Sequence, residues 1–177
     1  MRISPAEVLI AILNELVHGS PDPAANTVVL NQGDPGLLAS LARLTAEQAS
    51  ARPANGGVSV AAHVDHLRYA LMLLNRWADG SPPPWPDMDW TTSWKLDSLT
   101  DSQWLSLRTS LADEATRWAA ALAEPRVRER IGEKWATASV AHLAYHMGAI
   151  RQIAYGARGP RAEDEASAQE RAKRERG

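Results

Sequence analysis

Histidine is the side chain whose number and spacing could do chemistry in this sequence. The chain has five, and four of them fall into two clusters, His63 with His66 in "SVAAHVDHLRYALMLLNRW" and His142 with His146 in "SVAHLAYHMGAIRQI". A neutral imidazole is a good ligand for zinc, nickel, copper or iron, and its pKa near neutrality also suits it to carry protons. Residues four apart on a helix lie roughly 40° apart, one turn above the other, so His142 and His146 can face a single ion. One more imidazole from a facing helix would complete a three-ligand site with an open position for water or substrate. The two segments also echo each other. In each, a histidine follows the serine of Ser-Val-Ala by seven residues, Ser59 to His66 and Ser139 to His146. Each serine is therefore expected to be an N-cap that sets a histidine two turns inside its helix.

A buried histidine can also be an ordinary hydrogen-bonded core group, and a lone pair spaced by four arises by chance. Two inward-facing pairs using four of five histidines favour a shared metal site. Helical periodicity leaves the third ligand open. His63 sits nearer the middle of the apolar arc with Leu67 and Leu74, whereas His66 shares its side with Ala62, Ala70, Leu73 and Trp77. His18, near the end of the first helix, reads as a cation complementing the helix dipole. Asp65 falls off the apolar arc and is expected in solvent, with support of a ligand as its alternative role. Gly148 is expected to allow a close helix approach. The seven tryptophans are expected to be core and loop anchors rather than a ligand cage.

These residues need helices to position them. Residues 4 to 18 read as an amphipathic helix capped by Ser4, with Pro5 at its first position and Gly19 as its stop. Residues 35 to 48 form a short extra helix capped by Asp34. The first histidine helix spans 59 to 78 and ends at Gly80 and a proline run. The stretch 81 to 98 holds three tryptophans among prolines and acids, which suits an ordered crossover packed on the helices. A long helix follows over 100 to 124, with Thr100 and Gln103 as a capping box and Pro125 closing it. After a turn through Gly132 comes the second histidine helix, 137 to 156. No stretch shows strand alternation, so the fold class is all-α, a four-helix bundle with a long crossover loop and a short extra helix. One domain over 1 to 159 and a charged tail over 160 to 177 account for the chain.

Composition removes several functions. With no cysteine, the chain has no disulfide, no thiolate of its own and no cysteine ligand for a metal. A formal net charge of -2 at pH 7 gives no reason to expect nucleic acid or an anionic membrane as partner. The amino-terminal apolar run is broken by Glu7 and Glu15, so it is expected to be neither signal peptide nor membrane span, and a cytoplasmic location follows by default.

The first histidine segment is similar to the second bundle helix of the DinB-like family of metalloenzymes. The stretch "HLAYHMGAIRQI" resembles that family's last helix, in which a histidine, three residues, a histidine and then a glycine follow closely. The order of elements matches over about residues 1 to 157. The resemblance implies a divalent metal, zinc or nickel, held by His66, His142 and His146. It gives His63 no regular place, and His63 stands as the alternative ligand or as a group behind the ligands. The resemblance further implies a thiol-dependent S-transferase acting on small electrophiles with a low-molecular-weight thiol, a small-molecule substrate and a homodimer. A metal-dependent hydrolase, or a non-catalytic dimeric stress or scaffold bundle, is the alternative.

Overall fold

The computed structural model describes residues 3–22, 27–54, 56–86 and 88–160. Among these residues the chain is helical throughout, with six α-helices and no strand: α1 (Pro5–His18), α2 (Gly36–Ala42), α3 (Ala46–Ser50), α4 (Val60–Ala78), α5 (Asp101–Ala123) and α6 (Pro125–Ile153). Short 3-10 turns occur at Ser93–Lys95 and Tyr155–Ala157. Helix α4 packs on α5 and α6, and α1 packs on α2, α5 and α6. None of the helices is long and apolar enough to cross a membrane. The charged tail expected beyond residue 160 lies outside the described residues.

Local chemistry explains most of the helix ends. Ser4 and Glu7 close a capping box on α1, Pro5 starts it, and Gly19 ends it at φ 75°. Thr100 and Gln103 form the corresponding box on α5. On α4 the Ser59 hydroxyl accepts from Ala62 N–H at 3.2 Å, as its sequence position suggests. The echo with Ser139 stops there. Ser139 lies inside α6, where its hydroxyl donates to Ala136 C=O at 2.7 Å and accepts from Trp118 Nε1 at 2.8 Å. It ties two helices together and caps neither.

Several boundaries differ from the sequence reading. The extra helix divides into α2 and α3, because Thr45 and Gln48 build a capping box of their own and start a new helix. Pro35 is the N-cap of α2 and forms no side-chain cap, while Asp34 Oδ1 accepts from Gly36 N–H at 2.9 Å. Pro125 closes α5 as expected but also opens α6 directly, being the first residue of the next helix after an extended Glu124. The segment before Gly132 is thus helical. Gly132 interrupts α6 with φ 75° and ψ 154°, a backbone that favours glycine. A Cβ there would meet nothing within 4 Å, so the glycine serves the turn and not the space around it. The stretch beyond it carries the second histidine pair and ends at Ile153.

One apolar core runs between the helices, centred on fully buried Trp118 with Leu13, Leu16, Leu67, Leu111, Leu143 and Ile150. Its largest side chains also satisfy their polar atoms. Trp104 Nε1 donates to Leu44 C=O at 2.9 Å, and Asn75 Nδ2 donates to Glu114 C=O at 2.9 Å. Asp34, 1% exposed, pairs with Arg151 at 2.7 Å and fastens the end of α6 to the start of α2. Arg151 is thus a contact between helices, as its place off the histidine stripe suggests.

Candidate metal centre

The two histidine helices face each other, and all four of their histidines meet. His66 from α4 and His142 with His146 from α6 each offer a nitrogen, and the three nitrogens lie within 4.8 Å of one another. His142 Nε2 is 3.2 Å from His66 Nε2 and 2.9 Å from His146 Nε2. His63 is close but set behind. Its Nδ1 lies 2.8 Å from His146 Nδ1, on the other side of that ring. His66, His146 and His63 are buried and His142 is half-buried. His18 stands apart, exposed at the end of α1.

Burial determines the protonation state of the cluster. It pushes His66 down to about 4, aided by the neighbouring charges of His142 and His63 and opposed by Asp65. It pushes His146 down to about 3, aided by His142, His66 and His63. His63 and His142 are lowered too, both by burial. At neutral pH all four rings are therefore neutral, with lone pairs available. A neutral ring has one proton for two nitrogens. If His146 carries its proton on Nδ1, that N–H donates to His63 Nδ1 and leaves the Nε2 lone pair facing His66 and His142. His66 Nδ1 is buried without a hydrogen-bond partner.

This donor set fits a divalent cation. Two nitrogens bound to a tetrahedral zinc at about 2.0–2.1 Å would stand roughly 3.3 Å apart, close to the 2.9 and 3.2 Å observed. Three neutral imidazoles without sulfur suit zinc, nickel, copper or iron. Three nitrogens from the chain leave room for a further ligand, the arrangement of a reactive rather than a closed structural site.

A crossover segment walls the cluster. Trp94 stacks on His66 with ring centroids 4.3 Å apart and meets His63 edge-on at 5.6 Å, while Trp90 leans on His66 at 5.2 Å. Two polar ties hold this segment to α4. Ser93 hydroxyl donates to Asp65 Oδ2 at 2.7 Å, and Asp89 N–H donates to Tyr69 hydroxyl at 3.1 Å. Asp65 is consequently not a solvated surface acid. It holds Ser93 on one oxygen and Arg68 on the other, at 2.9 Å, and that pins the tryptophan next to it. Beside the cluster opens a cavity of about 210 Å³ lined by His66, His142, Trp85, Trp90 and Trp135. A larger recess, about 520 Å³, opens elsewhere among Asp79, Arg117 and Arg130 and touches no histidine. Arg117 there is paired with Asp79 and Glu114.

A sequence model of the DinB superfamily matches residues 32–150, more than half of the chain and all four clustered histidines. The chain belongs to the DinB superfamily. No curated protein and no solved structure matches it. In this DinB-superfamily chain the matched span runs from the residues before α2 to residue 150, so α4, the crossover and all but the last three residues of α6 lie inside it. The family's glycine after the last histidine, Gly148, has open space where a Cβ would stand, so close helix approach does not account for it. Sequence reasoning missed the wall. Trp85, Trp90 and Trp135 line a cavity, and nothing in their spacing marked them apart from Trp77, Trp104 and Trp118, which are core.

Proposed function

We propose that this protein is a metal-dependent enzyme acting on a small molecule, with zinc or nickel held by His66, His142 and His146. The observation that carries the reading is the convergence of three histidine nitrogens within 4.8 Å at the edge of a cavity. His63 supports His146 from behind by fixing which of its nitrogens faces the site. When bound, the ion would lower the pKa of a thiol or a water in its remaining position and so supply a nucleophile at neutral pH. The chain's own residues orient and desolvate. Trp90 and Trp94 hold His66 in place, and the apolar lining keeps bulk water from the reacting groups.

Between the two chemistries we favour S-transfer from a low-molecular-weight thiol to a small electrophile. Among the described residues no carboxylate lines the cavity, so a hydrolytic reaction would find no carboxylic acid there to protonate its leaving group, whereas a thiolate displacing a group that departs as a stable anion needs none. The histidine site opens directly on a cavity, which argues against a purely structural ion in a scaffold bundle. The same reading takes α1, α4, α5 and α6 as a four-helix bundle with the α4–α5 connection as its long crossover, supported by their mutual packing. It keeps a single domain over 1 to 159, a homodimer and a cytoplasmic location as expectations.

The test is elemental analysis of untagged protein grown with ample metal, beside His142→Ala. The reading expects close to one divalent ion per chain, lost in the variant. Less than about 0.2 ion per chain, unchanged by the substitution, would sink it. With metal present, a panel of low-molecular-weight thiols against small electrophiles separates transfer from hydrolysis. Turnover that ignores the thiol counts against transfer.

A further inference from the structure

The cavity beside the histidines has a chemistry of its own. Trp85 and Trp135 stack with centroids 3.9 Å apart, Trp77 braces both edge-on, and Trp90 is braced by Tyr69. Ala70, Leu74 and Ala138 complete an apolar lining. Among the described residues no charged side chain lines it, and the one hydroxyl that does, Ser139, is already engaged by Trp118 and by Ala136. Lys134 rests its Nζ over Trp135, 5.3 Å from the ring centroid, and is not part of the lining. An anionic group entering this cavity in the metal-free protein would shed water without gaining a charged partner among the described residues, at a cost of several kcal/mol. A neutral ring would exchange water for aromatic surface.

Size narrows the ligand further. An apolar cavity of about 150 Å³ takes benzene, and pockets for drug-sized ligands run from about 300 Å³ upward. At about 210 Å³ this one suits a fused bicyclic ring or its equivalent and excludes a nucleotide or peptide. Two of its lining residues are His66 and His142, so a molecule filling it presents an edge to the histidine nitrogens.

We infer that this cavity binds a ring-sized apolar molecule without negative charge, and that such a molecule is the electrophilic substrate. The binding site stands on the cavity alone, and the substrate role rests on the metal reading above.

The experiment is calorimetric titration of 2-naphthol and of 2-naphthoate, which share a ring system and differ in charge, into metal-free and metal-loaded protein. Naphthol is expected to bind both forms, and naphthoate at least about tenfold more weakly to the metal-free form, where no cation can hold its carboxylate. Ala138→Trp, which fills the cavity from an exposed helix position, and Trp90→Ala, which removes a wall, should each weaken naphthol at least about tenfold with the helical circular dichroism retained. Absence of naphthol binding, equal binding of naphthoate to the metal-free form, or unchanged affinity in a folded variant overturns the inference. If one variant fails to fold, the other decides. Metal content measured on the same samples keeps the two readings apart. Naphthol binding without any metal leaves the site standing and removes its catalytic partner, whereas metal without naphthol binding does the reverse.

Discussion

Acid should unfold the metal-free protein in a pH range where its carboxylates are silent. His66 is pushed down to about 4 and His146 to about 3 in the folded chain, against an ordinary value of about 6.5. Both folded values are depressed, so above about pH 6.5 neither the folded nor the unfolded ring holds a proton and the pair adds no pH dependence. As pH falls through 6.5 the unfolded rings take up protons that the folded rings refuse, and stability drops until the folded values are reached. Between pH 6.5 and 5 an unscreened linkage amounts to about 2 kcal/mol per ring. The cluster borders an open cavity and its protons are coupled, so about 2 kcal/mol for the pair is the expected total. In a domain of this size that is a fall in Tm of roughly 4–8 °C. The assay is thermal unfolding of chelator-treated protein from pH 7 to 5, beside a His66→Gln, His146→Gln double variant whose profile should be shallower, keeping only the part carried by His63 and His142. A parent Tm that moves less than about 1 °C across this range, or a double variant that falls as steeply as the parent, refutes the reasoning.

Two further outcomes follow from particular contacts. His63→Ala removes the partner of His146 Nδ1, so metal affinity measured against a chelating dye should fall roughly 10–100-fold, while His146→Ala should abolish it; equal affinity of His63→Ala and parent would show that the contact orients nothing. Asp34→Ala leaves the Arg151 guanidinium without its anion in a place where Asp34 is 1% exposed, and should cost about 3–5 kcal/mol in urea unfolding with an unchanged m-value.

Much of the centre was legible because its signals are local. The four-residue spacing of His142 and His146, the inward face of α4 and the caps at Ser4, Ser59 and Thr100 depend on neighbours within one or two helical turns. What escaped depends on pairs far apart in the chain. Asp34 meets Arg151 across 117 residues, and Trp118 meets Ser139 across 21. From the sequence alone Asp65 reads as a surface acid, since the hydroxyl that claims it lies in the crossover, 28 residues on. Helical periodicity also favoured His63 as the inner histidine, yet both rings of α4 are buried and His66 is the one that meets His142. A wheel gives direction around a helix and says nothing of how deep the partner helix sits.

The two ties at Asp65 and Tyr69 have a consequence for how this protein can change. The ring nitrogens belong to α4 and α6, whereas Trp90 and Trp94 belong to a connecting segment moored to α4 by Ser93 and Asp89. So long as those moorings remain, Trp85, which stacks on Trp135 and on no histidine ring and meets Trp77 edge-on, can be exchanged for a smaller or more polar residue with Trp90 and Trp94 still against His66. If the proposed metal chemistry holds, reactivity and choice of substrate are thereby written on separable parts of the chain, and a lineage built on this frame can trade one diet for another while keeping its histidines in place.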